Sequence, residues 1–230
     1  MPRILVFSGA GPYADPWHPF AETSAAVATV LGDGRHDVVV RDSEPGALLD
    51  LDAFDLLVVN SGGRGTSPDP RRTESWYGDH QSLSAFHRAG KPILGLHIAV
   101  ATLPDWSGWA RIIGGRWGED THHPDIDAAT FRPAGGAASH PVWAGLATVK
   151  AFDERYCNLE VYDGSSPLVG HDTDGTRHIM GWSVGHNVIY DGLGHDGRSY
   201  GSADRRRLLL NEVDWLVGHG LGPALESVHD

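Results

Sequence analysis

Four short apolar runs punctuate the first half of the chain: residues 4–7 (ILVF), 36–40 (HDVVV), 55–60 (DLLVVN) and 93–96 (ILGL). None alternates apolar with polar positions. Continuous β-branched and aliphatic runs of this length fit parallel strands covered on both faces. Between them the period changes. Residues 20–31 place Ala21, Ala25, Ala28 and Leu31 at helical spacing, and residues 73–88 place Leu83, Phe86 and His87 near one helical face. Strands joined by helical crossovers predict a doubly wound parallel sheet. In such sheets ligands sit at the carboxyl ends of the strands. Here those ends are residues 8–19, 60–66 and the turn at His97.

From residue 114 the pattern becomes richer in loops. Two apolar segments, 167–171 and 176–182, flank Asp172-Thr173-Asp174-Gly175, which reads as a hairpin turn. Residues 187–193 (NVIYDGL) read as a last core strand that delivers Gly194-His195-Asp196. Residues 204–217 form an amphipathic C-terminal helix with Leu208, Leu209, Val213, Leu216 and Val217 apolar. No repeat, linker or low-complexity tract interrupts the chain. The expectation is one domain over residues 1–230: a mostly parallel α/β sheet with an antiparallel insertion in its second half.

Composition narrows the function. The chain has 230 residues, 40% of them hydrophobic, enough for one sizeable core. Against 30 acidic residues stand 18 Lys and Arg, a formal net charge of −12. So acidic a surface repels phosphate backbones and argues against nucleic-acid binding. A single cysteine, Cys157, rules out an internal disulfide and a cysteine-based zinc site. With no apolar run long enough for a membrane span or a signal-peptide core, a cytoplasmic setting without membrane contact is expected. Two counts point toward chemistry. Fourteen histidines supply metal ligands and proton carriers, and eight tryptophans supply flat faces for sugar rings as well as core filling.

His97 ends the run KPILGLHIA, at a strand-to-helix turn that would hold its side chain above the sheet. A histidine at such an apex serves as a metal ligand or a general base. His195 follows the last strand between Gly194 and Asp196, an equivalent location. His18 lies in DPWHP, beside Asp15 and Trp17, before the first helix. In FDERY, Asp153 and Glu154 are neighbours on a strand and point to opposite faces, so only one carboxylate can join a given site. Taken alone, a DER run is an ordinary solvated face. His122, His123 and His140 occupy His-Pro turns. The templates G-x-S-x-G, P-loop, H-E-x-x-H and G-x-G-x-x-G are all absent, so no nucleotide cofactor is expected.

The ordered set ILVFSGAG…WH, DLLVVNSGG, KPILGLHIA, IIGGRW…HHP, HPVWAGL, FDERY and GLGHD resembles the trehalose-utilisation (ThuA-like) family of the class I glutamine amidotransferase-like superfamily. The resemblance implies a flavodoxin-like fold. In the superfamily's amidotransferases the elbow carries cysteine in G-x-C-x-G. Here Gly95-Leu96-His97-Ile98-Ala99 has histidine there, which excludes thioester chemistry on glutamine. The resemblance carries motif histidines onto His18, His97 and His195, and an Asp-Glu-x-Tyr motif onto Asp153, Glu154 and Tyr156. It implies an enzyme of disaccharide or glycoside catabolism, acting on a glycoside or keto-sugar by hydrolysis, lyase or isomerase chemistry. The rival reading is a non-catalytic module binding a sugar or a partner protein in the same cleft. The catalytic set is His97, His195 and Glu154, and the same three residues, with His18 as a further donor, would hold a divalent ion such as zinc. Without an ion, His97 and His195 would be an acid–base pair. His18, Trp17, Asn60, Tyr156, Trp182 and His123 are expected to bind the carbohydrate, with Trp106 and Trp117 also lining the pocket. A homo-oligomer is left open.

Overall fold

The computed structural model describes residues 1–63 and 74–219. A nine-stranded sheet forms the centre, in the order β2-β1-β3-β4-β11-β10-β9-β6-β7. Its parallel part comprises β1 (Arg3–Ser8), β2 (Asp37–Asp42), β3 (Leu56–Asn60), β4 (Ile93–Leu96) and β11 (Val188–Asp191). The continuous apolar runs behave as their pattern demands. β3, β4 and β11 are buried at every residue, and β1 at every residue after the first. β2 is the exception. It lies at the sheet edge and its residues are half-buried or exposed, so HDVVV is covered less than its composition implies.

The described α-helices include α1 (Phe20–Asp33), α2 (Tyr77–Arg88), α3 (Gly108–Ile113), α4 (Gly197–Tyr200) and α5 (Ala203–His219). The expected start of the second helix at residue 73 and part of the strand end at 60–66 lie outside the described residues. No described helix is long and apolar enough to cross a membrane.

The antiparallel part extends the same sheet through β6 (Asp127–Pro133), β7 (Val149–Asp153), β9 (Ser165–Thr173) and β10 (Thr176–Val184). The two short strands β5 (Gly115–Arg116) and β8 (Glu160–Val161) pair separately. The β9–β10 hairpin forms as expected, but its turn is only Asp174-Gly175. Both residues have positive φ, 50° and 75°, which matches the strands' twist. Asp172 and Thr173 are therefore strand residues, not turn residues.

Strand directions explain where chemistry can gather. β11 runs parallel to β4, and four antiparallel pairings, through β10, β9 and β6, restore that direction in β7. The carboxyl ends of β1, β4, β11 and β7 therefore lie on one edge of the sheet. They are followed respectively by His18, His97, His195 and Glu154.

Candidate metal centre

β4 ends at Leu96, and His97 takes φ 49° before a short 3-10 turn, His97–Ala101. That left-handed conformation is costly for a non-glycine residue and persists only where its surroundings enforce it. Here the Tyr190 hydroxyl donates to the His97 carbonyl at 2.8 Å. Small residues flank the turn for a steric reason. A Cβ on Gly95 would lie 2.7 Å from Ile113 Cδ1 and 3.5 Å from Ala99 Cβ.

The His97 ring is 2% exposed, and the partner of its Nδ1 is a backbone carbonyl. Nδ1 lies 2.8 Å from the Gly192 carbonyl, which can only accept, so Nδ1 carries the proton. Nε2 lies 2.6 Å from the Tyr156 hydroxyl. Around this nitrogen the expected residues converge. Glu154 Oε2 is 3.3 Å away and His195 Nδ1 is 3.4 Å away, while His195 Nδ1 and Glu154 Oε1 are 3.2 Å apart. His18 completes the group, its ring centroid 4.9 Å from that of His97 and 5.0 Å from that of His195. One ligand atom from each of His18, His97, Glu154 and His195 falls within 4.8 Å of every other.

These residues suit a metal. Donors about 2.1 Å from a tetrahedral ion stand about 3.4 Å from one another, close to the three separations above. Glu154 Oε2 is buried and has no hydrogen-bond partner, and it lies 3.3 Å from His97 Nε2. An oxygen and a nitrogen this close need a positive charge between them, which a proton or a metal ion supplies. The outer partners are also of the right kind. His18 Nδ1 donates to Asp15 Oδ1 at 2.6 Å and His97 Nδ1 donates to a carbonyl, which orients each Nε2 inward.

Burial alone would raise the Glu154 carboxyl, but His195 and His97 overcome it and hold Glu154 well below the usual carboxylate range. Burial opposes a charged His195, yet the Glu154 carboxylate beside it wins and raises that imidazole. Burial dominates at His18 and lowers it despite Asp15. Burial and the Glu154 charge keep the Tyr156 phenol protonated, so it remains a donor. The Glu154–His195 pair stabilises the metal-free fold in a bounded pH window. The Glu154 part is present above its ordinary value of 4.5 and is lost as pH falls through the depressed value. The His195 part is present below its ordinary value of 6.5 and is lost as pH rises through the raised one. The difference in melting temperature between metal-stripped wild type and Glu154→Gln should therefore peak between those two ordinary values and shrink on either side. A difference independent of pH would refute the pairing.

A cavity of about 650 Å3 opens over the cluster, lined by Asp15, Trp17, His18, Ile98, Trp117, His123, Glu154, Tyr156 and His195. Trp17 is 62% exposed at its mouth. His123 Nε2 reaches to 3.6 Å from Glu154 Oε1. Trp17, His18, Tyr156 and His123 are thus brought to the site as expected. Asn60 and Trp182 are not. Asn60 is buried, and its Nδ2 donates to Thr23 Oγ1 and Ser24 Oγ, tying α1 to β3. Trp182 is a fully buried core residue whose indole donates to the Ile113 carbonyl. Trp106 lines a neighbouring cavity of about 520 Å3, whose wall includes Trp117. Two residues named from the sequence have roles it did not assign. Asp15 orients His18, a role its i,i+3 spacing in DPWH could have signalled. Asp153 is buried behind the site and accepts from the backbone of His195. Cys157 is buried outside the cavity, its thiol donating to the Arg155 carbonyl.

Comparison with known proteins bears on this arrangement. The family model described as "ThuA: Trehalose utilisation" matches residues 3–216. A ThuA-like protein from Parabacteroides merdae superposes with TM-score 0.77 at 17% identity, covering 99% of this chain and 92% of that one. A ThuA-like protein from Bacteroides uniformis gives 0.70 at 14% identity, covering 93% and 90%. A glutamine amidotransferase from Thermotoga maritima gives 0.60 at 9% identity, covering 94% and 97%. No curated protein matches significantly. At these identities the structural neighbours establish the class I glutamine amidotransferase-like fold.

Proposed function

Because the chain belongs to the trehalose-utilisation (ThuA) family, we propose that it is a carbohydrate-active enzyme that transforms a glycoside or keto-sugar at a divalent ion held by His18, His97, Glu154 and His195. The observation that carries this reading is the convergence of four donor atoms within 4.8 Å, among them Glu154 Oε2, buried without a hydrogen-bond partner 3.3 Å from His97 Nε2. A bound ion would polarise a sugar carbonyl or hydroxyl oxygen, or lower the pKa of a bound water. The chain's own residues bind and orient. Trp17 and Trp117 offer aromatic faces on the cavity wall, suited to the apolar faces of a sugar ring. Tyr156 offers a protonated hydroxyl beside the ligand set, and His123 a partly exposed imidazole at the rim. Both stand where a substrate oxygen could exchange a proton. Amide hydrolysis through a thioester has no support, because the elbow presents imidazole in place of a thiol.

Turnover of glucosides and 3-keto-glucosides by zinc- or manganese-loaded protein tests the reading. Trp17→Ala should weaken sugar binding about tenfold, the order of one aromatic contact, and leave metal content unchanged. Sugar binding without turnover in the loaded wild type would replace the enzyme reading with a non-catalytic binding module.

A further inference from the structure

Glu154 and His195 sit on separate segments, one at the end of β7 and the other on the loop leaving β11, and a single buried carboxylate joins them. Asp153 is the last residue of β7 and is wholly inaccessible to solvent. Its Oδ1 accepts from the Glu154 backbone N–H at 3.0 Å and from the His195 backbone N–H at 3.1 Å. Its Oδ2 accepts from the Gly194 N–H at 2.9 Å and from the Ser199 hydroxyl at 2.5 Å. These donors are the backbones of both ligand residues, the residue before His195, and α4 behind the loop.

We propose that Asp153 is a positioning residue that sets the separation of Glu154 and His195 by clamping the end of β7 to the loop leaving β11. The proposal rests on the metal-centre reading above for its effect on binding, but not for the clamp itself. Three further observations support it. The groups that touch the two oxygens of Asp153 are all N–H and O–H donors, with Arg205 and His195 acting only through longer-range charge. A buried carboxylate held in this way is costly, and a link serving packing alone has no need of it. The loop it holds is also conformationally demanding. Gly194 has φ 122°, and a Cβ there would lie 2.5 Å from the Tyr200 hydroxyl. Finally, the polar backbone groups of Gly192 and Leu193 are bonded elsewhere. Leu193 N–H donates to Asp191 and Gly192 N–H to Met180, while the Leu193 carbonyl accepts from Arg205. Asp153 is thus the link from this loop to the strand that carries Glu154. Outer partners of this kind change metal affinity about 10- to 100-fold when they are removed.

Asp153→Asn keeps the shape and one acceptor oxygen, but places an NH2 against the Gly194 N–H. The test combines amide hydrogen exchange on the metal-stripped protein with calorimetric titration of Zn2+. In Asp153→Asn, Gly194 and His195 should lose at least about tenfold in protection while amides of β1 and β3 keep theirs, and Zn2+ affinity should fall about 10- to 100-fold. Ser199→Ala, which removes one donor and keeps the carboxylate, should show the same local loss in smaller measure, and serves if Asp153→Asn does not fold. Unchanged protection at Gly194 and His195, or an equal loss across all strands, would overturn the clamp. Local loss of protection in a protein whose wild type binds no Zn2+ would uphold the clamp and refute the metal centre.

Discussion

Replacing Glu154 with alanine should abolish stoichiometric metal binding and, with it, turnover, while the protein stays folded. Glu154 is the only carboxylate in the ligand set, and it faces His97 through Oε2 and His195 through Oε1. Its removal leaves three imidazoles and no compensating negative charge. The rings themselves should stay in place, because His97 is held by the Gly192 carbonyl and His18 by Asp15. Elemental analysis of Glu154→Ala beside wild type, each reconstituted and then desalted, measures the loss. Circular dichroism checks that the fold survives. Full metal retention in the variant would remove Glu154 from the ligand set.

The second large effect concerns stability. Arg205 is fully buried on α5, its Nη2 2.7 Å from Asp191 Oδ2 and its Nη1 4.0 Å from Glu212 Oε2. Burial, reinforced by Asp191, raises Glu212 far above its ordinary range, so Glu212 keeps its proton and Asp191 supplies the charge that answers Arg205. Arg205→Met would leave that carboxylate buried without a cation. Breaking a buried pair from one side costs about 3–5 kcal/mol, which in a chain of this size lowers the melting temperature on the order of 10 °C. Arg207→Met, on the exposed side of the same helix, should change stability by no more than about 0.5 kcal/mol. Thermal unfolding of the two variants side by side makes the measurement. Equal stabilities would show that the cluster holds nothing together.

The sequence disclosed residues whose role is set by their own segment, and it was silent on roles set by contacts between segments. His97 was legible because a short apolar run ends in a small-x-His-x-small turn, and such a turn has few geometries. Strand alternation allowed only one of Asp153 and Glu154 to enter the site. It gave no sign that the other would turn back to hold a loop more than forty residues away. Asn60 and Trp182 were misread for the same reason. A polar residue at a strand end suggests a ligand contact, but Asn60 meets two hydroxyls of α1. A tryptophan's flat face suits a sugar ring, but Trp182 is buried in the core, where its indole finds the Ile113 carbonyl. Asp191, Arg205 and Glu212 lie on a strand and a helix whose local patterns give no hint of their meeting.

The central claim is that the histidine at the elbow ligates a metal together with Glu154, His18 and His195. X-ray absorption at the zinc edge of the reconstituted protein tests it most directly. The expected shell holds nitrogen and oxygen donors at about 2.0–2.2 Å, with imidazole outer-shell scattering that weakens by one ring in His97→Ala. An oxygen-only shell, or a spectrum that His97→Ala leaves unchanged, would contradict it.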